Sequence, residues 1–153
     1  TATMQVSALP DHRPRFVYTH VMMPHEPFLF DSLLRWRSVK EIRMPAPRLK
    51  DYLGYLPYTN SRIRQLITTI KKNTGGKAVI LFMSDHGFRY WEEHIPDSVF
   101  FRNQNAVYFP DGNYSGFYDN ISNVNQFRLV FDKLFHLELP LLKDSTILLL
   151  DKN

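Results

Sequence analysis

The sequence predicts an α/β domain, and three observations carry that expectation. Ala78 to Met83 (AVILFM) is apolar without alternation, the pattern of a central strand covered on both faces. Ahead of it, the segment from Tyr58 to Asn73 sets Ile63, Leu66, Ile67 and Ile70 on one face at helical spacing. Gly75-Gly76 stops that helix, so it leads straight into the strand as half of a β-α-β unit. The 153 residues fit one compact domain or a piece of one, and 44% apolar with 14% aromatic content excludes wholesale disorder.

The first element expected is a buried strand over Arg15 to Val21 (RFVYTHV), a β-rich stretch just after Pro14. From Met22 to Asp31, Pro24 and Pro27 forbid regular structure and hold the backbone extended. Thr59 or Asn60 is the candidate cap of the helix that follows, and Lys71 and Lys72 in its last turn suit the dipole. Ala106 to Phe109 predicts a short strand closed by Pro110, and Asp111 to Asp119 a turn-rich loop. A second helix is expected from Asn123 to Phe135, capped by Ser122 or Asn123, with Val124, Phe127, Val130, Phe131 and Leu134 inward. Thr146 to Leu150 reads as a last strand or a docking tail.

Composition removes several classes of function. The absence of cysteine excludes disulfide scaffolds, thiolate zinc sites and cysteine nucleophiles, while leaving the compartment open. The longest apolar runs are strand-sized, far short of a membrane span. The net charge of +4 suits anionic ligands or headgroups, and equally an ordinary soluble surface. Basic residues are scattered rather than striped, so no nucleic-acid partner is expected. The opening Thr-Ala-Thr-Met-Gln-Val has neither an initiator Met nor a signal pattern, so translation is expected to begin upstream.

Two groups of residues stand out chemically. Ser84-Asp85-His86-Gly87 directly follows the predicted central strand, where open α/β sheets collect their ligands. Asp85 and His86 offer a carboxylate oxygen and an imidazole nitrogen to a divalent metal, and Gly87 permits a sharp turn. A structural turn is the competing reading of the same four residues. His20 and His25 lie at the end of the first predicted strand and on the proline-braced loop after it. If the strands are neighbours, all four residues emerge at one sheet edge; imidazole either ligates a metal or, when cationic, holds a phosphate or sulfate oxygen. Half-buried histidines bonded to backbone carbonyls are the alternative.

FVYTHVMMPHEPFLFD, YLPYTNSRIRQLITTIKKN and AVILFMSDHGFR resemble the C-terminal half of the sulfatase-like branch of the alkaline phosphatase superfamily. That branch includes lipoteichoic acid synthases, lipid A phosphoethanolamine transferases and many bacterial membrane proteins. The closing stretch from Asn105 to Thr146 is similar to the end of those catalytic domains. The resemblance implies a layered sheet with helices on both faces, with residues 1–153 forming the C-terminal portion of a single domain. It implies that Asp85 and His86 ligate a divalent ion, which is zinc, manganese or calcium according to branch. His25 matches a histidine that contacts the transferred group, and His20 sits where another active-site histidine often stands. Tyr58 and Asn60 belong to a pattern that begins the helix. Arg89 is placed to reach an anionic substrate or to stay solvated, and His94 is a candidate for a later family histidine.

The resemblance further implies a metal-dependent hydrolase or transferase of phosphate or sulfate esters. Its parent would be anchored in the cell membrane by an upstream segment, with the domain extracytoplasmic. The family's Ser, Thr or formylglycine nucleophile and a further acidic ligand belong to the N-terminal half; neither is identifiable here, and both are expected upstream of Thr1. Without them the chain is expected to be inactive alone. Two other readings stand beside this one: a non-catalytic module that keeps the fold and binds an anion, glycan or partner, and a plain α/β domain with an aromatic interface.

Overall fold

The computed structural model describes residues 1–10, 13–43, 48–89 and 95–149. The fold is mixed α/β, with helices and a small antiparallel sheet among the described residues. Helix α1 (Ala2–Ala8) was not anticipated from the sequence. Its Thr1 hydroxyl accepts from the Met4 amide, and it docks on the far end of α3 (Leu49–Asn73), where Asn73 Nδ2 donates to Met4 O and Ser7 Oγ. A one-turn helix, α2 (Val39–Ile42), lies between them, closed by reciprocal bonds between Ser38 and Glu41.

The expected strand over Arg15 to Val21 does not form. The segment is extended, and every residue from Arg13 to His20 is exposed, Phe16 at 86%. Its β-prone side chains have no neighbouring strand among the described residues, and a strand without a ladder is only extended chain. It is held instead by Arg15, whose guanidinium donates to Val6 O and Leu9 O behind α1.

Helix α3 starts nine residues before the predicted Tyr58, so Thr59 and Asn60 are not caps, and Thr59 is buried in its interior. Pro57 lies inside α3, where an interior proline costs about 3 kcal/mol. Packing overrides it. Tyr55 is buried, and Phe28 meets the rings of Tyr52 and Tyr55 at 6.0 Å each. On the other side Tyr52 packs on Phe88 at 5.1 Å. Aromatic pairs add about 0.5–1.5 kcal/mol each beyond the area they bury, enough together to carry the helix through its proline. Gly75 and Gly76, both at positive φ, terminate α3 as expected.

Strand β1 (Ile80–Met83) follows and pairs antiparallel with β2 (Asn105–Tyr108), with Ile80 opposite Tyr108 and Met83 opposite Asn105. The described sheet has these two strands, so β1 is half-buried along its length rather than covered on both faces, and its described partner is antiparallel. Between them a 3-10 turn (Asp97–Phe101) lies against the end of β1.

Helix α4 (Asn123–Phe135) has the predicted bounds and the predicted Ser122 cap, whose hydroxyl accepts from the Asn125 amide. Its inward face differs. Val130 is buried, but Val124, Phe127, Phe131 and Leu134 are exposed, while Asn125 and Gln126 are the side chains that turn in. The cause is the chain after α4, which lies across it without forming a strand. Asn125 exchanges bonds with both backbone groups of Leu142, and Asp144 accepts from the Tyr118 hydroxyl and the Ser122 amide. These bonds hold the Asp144 carboxyl down to about 2, Ser122 contributing most and Tyr118 next. The bonds that dock this chain run from Pro140 to Asp144. Thr146 to Leu149, expected as a last strand or a docking tail, forms no strand and is exposed, and Leu150 lies outside the described residues.

Candidate functional site

The loop Ser84-Asp85-His86-Gly87 begins where β1 ends, and neighbouring backbone fixes it. Ser84 N donates to Gln104 O (2.8 Å), and Gln104 N returns a bond to Ser84 Oγ (2.8 Å), continuing the β1–β2 pairing by one residue. Gly87 N donates to Phe100 O at 2.7 Å, so the loop folds back onto the 3-10 turn. A side chain at Gly87 has no room: a Cβ there would stand 2.1 Å from Val99 O. Phe88, buried directly after, anchors the loop on Tyr52.

This backbone presents a coherent pair of donor atoms. His86 Nδ1 lies 2.6 Å from Gly87 O. A carbonyl can only accept, so Nδ1 carries the proton and Nε2 of the neutral ring has its lone pair free. Nε2 stands 3.6 Å from Asp85 Oδ2, with Asp85 88% and His86 32% exposed at their side chains. Adjacent ligand atoms of a tetrahedral ion bound at about 2.0–2.1 Å are about 3.3 Å apart, so the two fit neighbouring positions around one cation. A carboxylate beside an imidazole that donates its other N–H to a backbone carbonyl is also the chemistry of a cation site. The pair supplies two donors. Among the described residues no group of three or more His, Asp or Glu side chains is placed to hold a metal.

His25 sits on the proline-braced loop, where its amide donates to Met22 O and its Nδ1 lies 2.7 Å from Glu26 O. The same argument leaves Nε2 as its outward nitrogen, on an exposed ring. His20 is exposed on the extended segment. Among the described residues no bond or ion pair joins either histidine to Asp85 or His86, and neither joins that pair in a group of three or more placed to hold one metal ion. What links the two loops is Tyr52: Phe28, just after the His25 loop, and Phe88, just after the His86 loop, pack on the same ring. Arg89 is exposed, and His94 lies outside the described residues. A cleft of about 640 Å³ lined by Phe30, Asp31, Arg37, Arg48, Asp51 and Gly54 contains none of the candidates.

Sequence reasoning missed two side chains at this loop. Asn103 Nδ2 (3.2 Å) and Asn123 Nδ2 (3.0 Å) both donate to the Ser84 carbonyl, and Asn103 Nδ2 also donates to Asn123 Oδ1 (3.1 Å). They come from the turn before β2 and from the first residue of α4. No local spacing connects them to Ser84, and Asn123 carried only a capping signal.

The family model described as Sulfatase matches residues 2–128. No curated protein and no solved structure matches. The chain belongs to the sulfatase family, whose domains bind ester substrates, act as sulfuric ester hydrolases and typically depend on a metal.

Proposed function

We propose that this member of the sulfatase family contributes the cation-holding and anion-contacting half of an active site that hydrolyses or transfers a sulfate or phosphate ester. The observation that carries the reading is the Asp85 Oδ2 to His86 Nε2 approach of 3.6 Å on the loop that ends β1. Asp85 and His86 would hold a divalent ion of the zinc, manganese or calcium type, which when bound lowers the pKa of a nucleophilic hydroxyl and neutralises charge on the transferring group. The Gly87 carbonyl keeps the His86 ring in the tautomer that a cation requires. His25, in its cationic form, donates from Nε2 to an equatorial oxygen of the transferring group or passes its proton to the leaving oxygen. His20 is the second histidine assigned to that group.

In this reading residues 1–153 are the C-terminal portion of a single domain. The Ser, Thr or formylglycine nucleophile and the remaining acidic ligand come from sequence outside it. Phe16 and Tyr18, at 86% and 78% exposure, are surface that further domain structure would cover. A bacterial membrane-anchored parent with an extracytoplasmic domain is the setting proposed for it; no described helix is long and apolar enough to cross a membrane.

Metal binding and ester hydrolysis by the longest native polypeptide, compared with its Asp85→Ala variant, test the proposal. Loss of Mn²⁺ or Zn²⁺ binding in calorimetry, with a rate loss of about 10²–10³ on an aryl sulfate or phosphodiester, is expected. Retained activity in Asp85→Ala refutes it. Metal binding that is lost in Asp85→Ala, from a wild type that turns over no ester, favours the non-catalytic anion- or glycan-binding module.

A further inference from the structure

We infer that Asn103 and Asn123 are positioning residues that aim the Asp85-His86 pair by clamping the Ser84 carbonyl, an inference that rests on the cation reading above. The Asp85 carboxylate is 88% exposed. Its hydrogen bonds run inside the loop, Oδ1 accepting from the His86 amide at 3.1 Å. Among the described residues nothing outside the loop braces the side chain, so its direction is set by the backbone beneath it. The controlling unit is the peptide between Ser84 and Asp85, because it is planar and its carbonyl and the Asp85 amide turn together.

That carbonyl is held from two sides. Asn123 Nδ2 and Asn103 Nδ2 occupy both acceptor positions of Ser84 O, at 3.0 and 3.2 Å. The two carboxamides are locked to each other by the 3.1 Å bond from Asn103 Nδ2 to Asn123 Oδ1, so each N–H of Asn103 is used. Ser84 Oγ completes the unit, accepting from Gln104 N and donating to His86 O at 3.2 Å. All three side chains are half-buried, where a carbonyl stripped of such donors cannot fully recover them from water. The clamp thus ties β1, the turn before β2 and the start of α4 to one peptide plane, and that plane carries the exposed ligand.

Asn123→Asp separates this role from helix support. The substitution keeps size and the Oδ1 acceptor for Asn103 but replaces the donor facing Ser84 O with a second acceptor. At the first position of α4 a carboxylate favours the helix dipole, and the Ser122 cap remains. The added negative charge by itself would attract a cation, so weaker binding can only come from lost aim. Asn103→Asp provides a second variant outside any helix, and Asn60→Asp, exposed on α3, controls for charge.

Hydrogen exchange at Ser84 to Phe88 is measured on the metal-free chain, and Mn²⁺ affinity by calorimetry. Faster exchange there with α4 unchanged, and an affinity about 10–100-fold lower in Asn123→Asp and Asn103→Asp but not Asn60→Asp, is the expected result. Unchanged exchange, or faster exchange with unchanged affinity, overturns the clamp. If Asp85→Ala leaves wild-type Mn²⁺ affinity untouched, the cation reading fails instead, and exchange alone decides whether the two asparagines hold the loop.

Discussion

Replacing Gly87 by alanine tests whether the Asp85-His86 loop is packed as tightly as its backbone indicates. The added Cβ would stand 2.1 Å from Val99 O, 2.9 Å from Arg102 O and 3.2 Å from Arg102 C. Carbon contacts are normally about 3.5–4.0 Å, so the loop or the 3-10 turn must move by more than about 1 Å. All three obstructing atoms are backbone, and no rotamer change relieves them. Overpacking of this kind costs about 1–3 kcal/mol. The movement also pulls Gly87 N from Phe100 O, a 2.7 Å bond whose net contribution is about 1 kcal/mol. The sum of about 2–4 kcal/mol would lower Tm by about 5–15 °C for a chain of this size. Urea unfolding followed by tryptophan fluorescence measures it, with an unchanged m-value required for the comparison. Gly54→Ala is the matched control, because inside α3 its new Cβ meets only Ser32 N at 3.7 Å. The gain in helix propensity should make that variant more stable by about 0.5–1 kcal/mol. A Gly87→Ala protein within about 0.5 kcal/mol of wild type would refute the reasoning, since surface-like tolerance is incompatible with that contact.

The docked tail and the α2–α3 junction supply two further expectations. Asp144 has its carboxyl held at about 2 against an ordinary 3.8, so the unfolded chain binds the proton first as pH falls. Its stabilising contribution is whole above pH 3.8 and is lost between 3.8 and about 2. Asp31, Glu41 and Asp111 are lowered too, so the informative quantity is the difference between wild type and Asp144→Asn, which should shrink across that window; a constant difference would discount the Ser122 and Tyr118 bonds. Arg37→Ala removes the 3.0 Å pair to Asp51, in which both side chains are 12% exposed, and leaves the carboxylate with Arg48 alone. A loss of about 1–3 kcal/mol in urea unfolding is expected, between the values of exposed and buried pairs; no loss would mean desolvation cancels the attraction.

Local chemistry carried a good part of this molecule. Ser122 and the apolar spacing after it determined α4 to the residue, because a cap and a helical period are both written within one turn. Gly75-Gly76 ended α3 for the same kind of reason, and the turn after β1 was legible as a candidate site from four adjacent residues. The family was legible in the same way, through short contiguous runs. Features that depend on distant partners were not. Arg15 to Val21 has strand composition, yet a strand exists only where another supplies its ladder. Thr59 and Asn60 read as a helix cap, and the packing of Phe28 on Tyr52 and Tyr55 and of Phe88 on Tyr52 is what extends α3 nine residues ahead of Tyr58. Asn125 looks like a solvated helix residue until the tail returns to bond it. Asn103 and Asn123 meet on Ser84 for the same reason: a carbonyl takes its donors from whatever the fold brings within 3 Å or so, and sequence distance does not enter. Sequence alone determined which chemical groups this chain offers, while tertiary structure decided which of them face one another, because directional bonds are made between neighbours in space.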